Sequence, residues 1–227
     1  MEKYVAVFAL VLAGLATRAQ TPLLDSIHEI VREARGTVGA AYKMAGDASY
    51  EGINTDAHLP MQSVFKFHLA LYFLHEVDKG ALSLGQAIPI SKADWEPKEW
   101  SPLRDQYKTP PASLPLQDLL GAIILNSDNV ACDILFRKAG GVGVIETYIH
   151  SLGVTDLAIA ATEAQMHHSW AVQYTNWTTP AAMLALLEKF DAGKLLSPKS
   201  TRLLTKWMSE SPRVSARLKG LLPAGTP

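Results

Sequence analysis

The chain has 227 residues, 48% hydrophobic and 19% charged, an ordinary globular composition with enough length for a sizeable core. A formal net charge of −1 gives no electrostatic case for a nucleic-acid or anionic-membrane partner. The single cysteine, Cys132, excludes an intramolecular disulfide.

The N-terminus reads as an export signal over 1–19. Lys3 supplies a positive start, Tyr4 to Leu15 is apolar, and Ala16-Thr17-Arg18-Ala19 places small residues for cleavage before Gln20. Twelve residues are too few to span a bilayer, so the chain is expected to be periplasmic without a stable membrane anchor. A helix follows over Asp25 to Arg35, with Ile27, Ile30, Val31 and Ala34 on one side, and Gly36 ends it. Thr37 to Met44 and Ser49 to Asn54 read as a hairpin around Gly46-Asp47. From Ser63 to Lys79-Gly80 runs a helix apolar nearly all round, hence buried. Pro-rich loops occupy Trp95 to Pro115. Helices are expected over Leu116 to Leu125, Val130 to Ala139 and Val142 to Leu152, with Gly140-Gly141 between the last two. Thr162 to Thr178 has no helical or strand periodicity and reads as a long loop. Thr179-Pro180 and Ser197-Pro198 are N-cap and first-turn pairs for helices to about Phe190 and Glu210. Element order alone suggests a mainly helical chain with one hairpin.

Chemistry concentrates in two short strings. In Ser63-Val64-Phe65-Lys66 the serine and lysine are three residues apart, so they share one helix face. Serine is a weak nucleophile that needs a base nearby, and a lysine buried on such a helix must be paired or held partly neutral. Ser127-Asp128-Asn129 is rarer by chance, and S-x-x-K followed by S-D-N is the signature of penicillin-recognising serine enzymes. Downstream, Glu163 in Thr162-Glu163-Ala164-Gln165-Met166-His167 can act from its loop as a general base through a water. A metal site on Glu163, His167 and His168 is the weaker alternative, because no further His or Cys spacing supports it. Cys132 reads as a small buried hydrophobe.

With these strings the chain resembles the class A serine β-lactamases, and more narrowly their PER-like extended-spectrum subgroup. The resemblance runs from about Leu24 to Thr226. It is carried by Met61 to Ala70, Ser127 to Asn129, Glu163 to His167, Gln173-Tyr174, Asn176-Trp177-Thr178 and Leu218 to Thr226. It implies the α+β fold of β-lactamases and penicillin-binding transpeptidases, in which the hairpin belongs to a five-stranded antiparallel sheet. The family's next motif, K-T-G after L-P-A-G-T, is absent, since the sequence ends Ala224-Gly225-Thr226-Pro227. The chain is therefore expected to be a C-terminally truncated copy, without that strand's oxyanion donor and carboxylate-binding groups. On this reading 20–57 is the helix and hairpin of the α/β domain and 58–212 a nearly complete helical domain. Residues 213–227 then lead in to the missing strands.

The resemblance also implies roles. Ser63 is the nucleophile, Lys66 the base or proton relay, Ser127 the proton shuttle to the leaving nitrogen, and Glu163 the base that activates the deacylating water. Asn129 binds the substrate's side-chain amide, Trp100 lines the pocket mouth, and His167 stands where most of the family has an asparagine that helps hold the water. Asp128 is expected to hold its turn, and Gln62 to be structural. No cofactor or metal is called for, the substrates are β-lactam antibiotics, and the complete protein is expected to be a monomer. The alternatives are an inactive truncated fragment, a D,D-peptidase, and a β-lactam sensor that is acylated and stays so. The last two should lack Glu163.

Overall fold

Apolar spacing and helix stops account for most elements of the computed structural model, which describes residues 22–95, 99–214 and 223. The predicted leader and most of the Leu218 to Thr226 string lie outside the described residues. The chain divides between Val38 and Gly39 into two units. In the first, α1 (Pro22–Glu33) carries Asp25 in its first turn and Arg32 in its last, charges that complement the helix dipole.

The second unit opens with the predicted hairpin, β1 (Ala40–Tyr42) and β2 (Glu51–Ile53), paired antiparallel with Ala40 opposite Ile53. Its paired core is shorter than the apolar runs suggest. A Cβ on Gly52 would strike the carbonyl of Ala40, so the ladder requires glycine there. Next come β3 (Leu59–Pro60), a 3-10 turn over Gln62–Val64, and α2 (Phe65–Asp78). Helix α2 is buried without a break from Phe65 to Leu71, as its all-round apolar sequence requires.

The Pro-rich stretch and the residues leading into it, 87–115, are more ordered than their composition suggests. They hold β4 (Ala87–Pro89), the short helices α3 (Lys92–Trp95) and α4 (Pro102–Asp105), and β5 (Ser113–Pro115). Strands β4 and β5 pair antiparallel and bury Ile88 against Leu114. Each strand contributes one inward side chain between two exposed neighbours, too little alternation to register as a pattern.

Helices α5 (Leu116–Leu125), α6 (Asn129–Ala139) and α7 (Val142–Ser151) follow as predicted. Then come β6 (Leu157–Ala158), α8 (Glu163–His168), β7 (Trp177–Thr178), α9 (Pro180–Asp191) and α10 (Pro198–Glu210). Thr179 and Ser197 cap α9 and α10 through their side chains. Helix α2 is the axis of this unit, in contact with α5, α6, α7 and α10. The hairpin packs on α9 through β1. Among the described residues there are three small antiparallel sheets rather than one hairpin, which corrects the mainly helical expectation and makes the chain α+β. The sheet that matters for chemistry is β3-β7-β6, which joins the approach to Ser63 to both ends of the segment carrying Glu163.

Candidate active site

Ser63 lies in the 3-10 turn just ahead of α2 rather than at the helix cap, which is Val64. Its side chain is therefore not spent on capping. The i,i+3 spacing brings Lys66 Nζ to 3.1 Å from Ser63 Oγ, as the shared helix face predicts.

Lys66 is 2% exposed and surrounded by oxygen. Nζ donates to the Ser127 carbonyl at 2.9 Å, Ser127 Oγ at 3.2 Å and Asn129 Oδ1 at 2.6 Å, and it stands 2.6 Å from Glu163 Oε1. The Glu163 contact is an ion pair, not an aligned hydrogen bond. An ammonium has three N–H groups and here faces five oxygens, so its protons are shared among Ser63, Ser127, Asn129 and Glu163. The buried lysine is paired, as its position on an apolar helix demands.

Residues 126–128 join α5 to α6, and Asn129 of the S-D-N string is the first residue of α6. Ser127 takes a left-handed backbone (φ +57), sparsely populated by residues other than glycine. Asp128, fully buried, caps α6 through Ala131 N–H and accepts from Ser101 Oγ and Leu103 N–H. It thus holds the turn, and it also holds the chain beside Trp100. Trp100 is 52% exposed, its indole N–H donates to the Asn126 carbonyl, and its own carbonyl accepts the Asn129 N–H at 3.0 Å. The Arg213 guanidinium lies 4.3 Å over its ring.

The stretch around Glu163 is not a loop throughout. Residues 163–168 form α8, whose first-turn amides would be orphaned without partners. Thr162 and Gln165 make a capping box, at 3.3 Å and 2.9 Å. The two amides ahead of Gln165 are taken by Asp133 on α6, which accepts Glu163 N–H at 2.8 Å and Ala164 N–H at 2.9 Å. Asp133 escaped the sequence reading. Its one signal is a lone acid in the apolar run Val130 to Phe136, four residues after Asn129. Asn176, fully buried, closes the segment by accepting Ala160 and Ala161 N–H and donating to the Ala161 carbonyl and Met166 Sδ.

Charge crowds this region. Burial, reinforced by the Glu163 charge, pushes Asp133 up to about 6 against the pull of its two backbone donors. Glu99, also buried, is pushed up to about 7, mainly by burial and then by Asp133 and Glu163.

The predicted residues thus divide. Ser63, Lys66, Ser127, Asn129 and Glu163 converge on one ammonium, and Trp100 joins through the Asn129 backbone. His167 is exposed one turn beyond Glu163, and its side chain makes no hydrogen bond or ion pair to a described residue. Among the described residues no three His, Cys, Asp or Glu side chains are placed to hold a metal ion. A cavity of about 560 Å³, lined by Ala160, Ala164, His168 and Val172 among others, shares no lining residue with the Lys66 network. The candidate nucleophile Ser63 and candidate base Lys66 are in contact in the network, not in this cavity.

Comparison with known proteins identifies the family. Residues 22–227 match the β-lactamase enzyme family. The chain is 44% identical over 215 residues to the extended-spectrum β-lactamase PER-1 of Pseudomonas aeruginosa, covering 94% of this chain and 70% of that one. It is 38% identical to β-lactamase VEB-1 of the same organism, covering 92% and 71%. Its fold matches a solved β-lactamase of Chitinophaga pinensis with TM-score 0.85 and 44% identity, over 88% of this chain and 74% of that one. It also matches a class A enzyme of Bacteroides cellulosilyticus with TM-score 0.82 and 33% identity, over 88% and 72%. Family match, identity and fold agree: the chain belongs to the β-lactamase enzyme family, hydrolases of the β-lactam amide, in its class A branch.

Proposed function

We propose that the chain opens the β-lactam ring of penicillins and cephalosporins through an ester on Ser63. Glu163 Oε1, 2.6 Å from Nζ, first takes a proton from the Lys66 ammonium. The neutral amine so formed accepts the Oγ proton, 3.1 Å away, as Oγ attacks the ring carbonyl. Ser127 Oγ, 3.2 Å from the same nitrogen, gives its proton to the ring nitrogen as the C–N bond breaks and regains one from Nζ. Nζ recovers its own from Glu163 and leaves that carboxylate free again. Glu163 then takes a proton from a water, whose oxygen attacks the ester, and Ser63 regains its hydrogen. Asn129 and Trp100 are assigned to the substrate's side chain, and His167 to the edge of the water site.

The observation that carries this reading is the single ammonium shared by Ser63, Ser127 and Glu163. A peptidase or a sensor has no need of a carboxylate at that point. The N-terminal segment supports export to the periplasm, where such an enzyme would confer resistance as a monomer. Among the described residues no helix is long and apolar enough to cross a membrane. Ser63→Ala tests the assignment: it should abolish turnover of a chromogenic cephalosporin and the mass increase on incubation with a penicillin. A variant still labelled by the penicillin would refute it.

A further inference from the structure

The path into Ser63 is tied, residue by residue, to the far end of the segment carrying Glu163. Leu59 and Pro60 pair with Thr178 and Trp177, and Met61 N–H donates to the Asn176 carbonyl at 2.9 Å. The ladder cannot continue, because Gln62 turns into the left-handed region (φ +46) to start the 3-10 turn that presents Ser63. A non-glycine residue holds that conformation only where its surroundings over-determine it. The next cross-link is made by side chains. Gln62 Nε2 donates to Gln173 Oε1 at 2.9 Å, and Gln173 Nε2 reaches the Met166 carbonyl on α8 at 3.4 Å.

We propose that Gln62 and Gln173 are positioning residues that set the distance between the Ser63 ester and the water activated by Glu163. The relay runs from the residue before the nucleophile, through Gln173, to the backbone three residues after Glu163. Neither amide touches the Lys66–Ser63 contact, so losing the clasp leaves proton removal from Ser63 intact and lets α8 drift from the ester. The effect falls on deacylation. This rests on Glu163 being the deacylating base.

The test is a double-mutant cycle with Gln62→Ala, Gln173→Ala and the pair. Acylation and deacylation are separated by stopped-flow with a chromogenic cephalosporin and quenched mass spectrometry. Each single change should slow deacylation by about two- to tenfold, the scale of one hydrogen bond, and leave acylation within about twofold. The pair should be no slower than the worse single, since all three remove one relay. Gln173→Glu keeps an acceptor for Gln62 but loses the donor to Met166, and should behave like Gln173→Ala. Gln62 is exposed and Gln173 half-buried, and thermal melting checks that the variants fold. Unchanged deacylation, equal slowing of both steps, or multiplying single effects would overturn the proposal. If Glu163→Gln also leaves deacylation unchanged, the reading of Glu163 has failed; if only the glutamine variants do, the clasp alone has.

Discussion

Asp133 grips the backbone of Glu163: one carboxylate oxygen accepts the Glu163 N–H at 2.8 Å while the other takes the next amide, Ala164, at 2.9 Å. A charged acceptor at the start of α8 satisfies two orphaned donors and complements the helix dipole. The geometry has an electrostatic cost, because Asp133 and Glu163 are both acids near one lysine, and this contributes to the raised Asp133 carboxyl.

Asp133→Ala removes both acceptors and should loosen α8 at the residue it carries. Hydrogen bonds to a charged group contribute about 1.5–3 kcal/mol each, so the first turn of α8 should become locally unstable. Deacylation should fall more than acylation, and amide exchange at 163 and 164 should accelerate. Asp133→Asn keeps one acceptor and should be intermediate. Equal loss in both chemical steps would mean that Asp133 supports the fold rather than Glu163.

Glu163→Gln preserves shape and removes the proposed base. Loss of a positioned general base costs about 10²–10⁴ in rate, so a stable acyl-enzyme should accumulate with a penicillin and persist in the mass spectrum. Acylation should suffer less, because Lys66 Nζ remains in contact with Ser63 Oγ. Hydrolysis of the ester at the parent rate would transfer the role to another residue, with His167 the first to be replaced.

Cys132 is fully buried on α6, and burial raises its thiol well above the ordinary range. It should not react with Ellman's reagent in the native protein, and labelling should follow unfolding in denaturant, reaching one thiol per chain. Rapid labelling of the folded protein, with activity retained, would contradict this packing.

Lys66 and the four residues around it were legible because two of their strings are short-range devices. Ser63 and Lys66 share a helix face by spacing alone, and Ser127-Asp128-Asn129 is a compact turn. Helix α8 was missed because six residues give no readable period, although Thr162-Glu163-Ala164-Gln165 carries the sequence form of a capping box. Strands β4 and β5 were missed for a similar reason, with one inward residue each and proline at their ends. Asp133 and Gln173 are harder cases. A single acid on an apolar helix, or a glutamine in a polar stretch, acquires its role from a partner about 30 or 111 residues away, and neither partner leaves a mark nearby.

His68 makes the last prediction, one about acid stability. It is fully buried on α2, its Nδ1 lies 3.3 Å from the Val64 carbonyl, and Nε2 has no hydrogen-bond partner among the described residues. A neutral ring with the proton on Nδ1 fits this site. A charged ring would bury a second N–H without an acceptor, and burial accordingly lowers the group from 6.5 to about 4, against the Val64 carbonyl. The unfolded chain takes up this proton as pH falls through 6.5, while the folded chain resists until about 4, so His68 removes stability across that window on acidification. The full effect is about 3 kcal/mol. Asp133, raised from 3.8 to about 6, has the opposite sign, because its folded form gains a proton first as pH falls. Glu99 acts in the same direction as Asp133. A single melting curve therefore mixes the contributions, and a difference separates them. The Tm of His68→Leu minus that of the parent, measured pH by pH, should move in the variant's favour by roughly 6–12 °C between pH 6.5 and 4. A difference that stays flat over that range would show that the ring titrates normally in the folded state, and so is not buried as described.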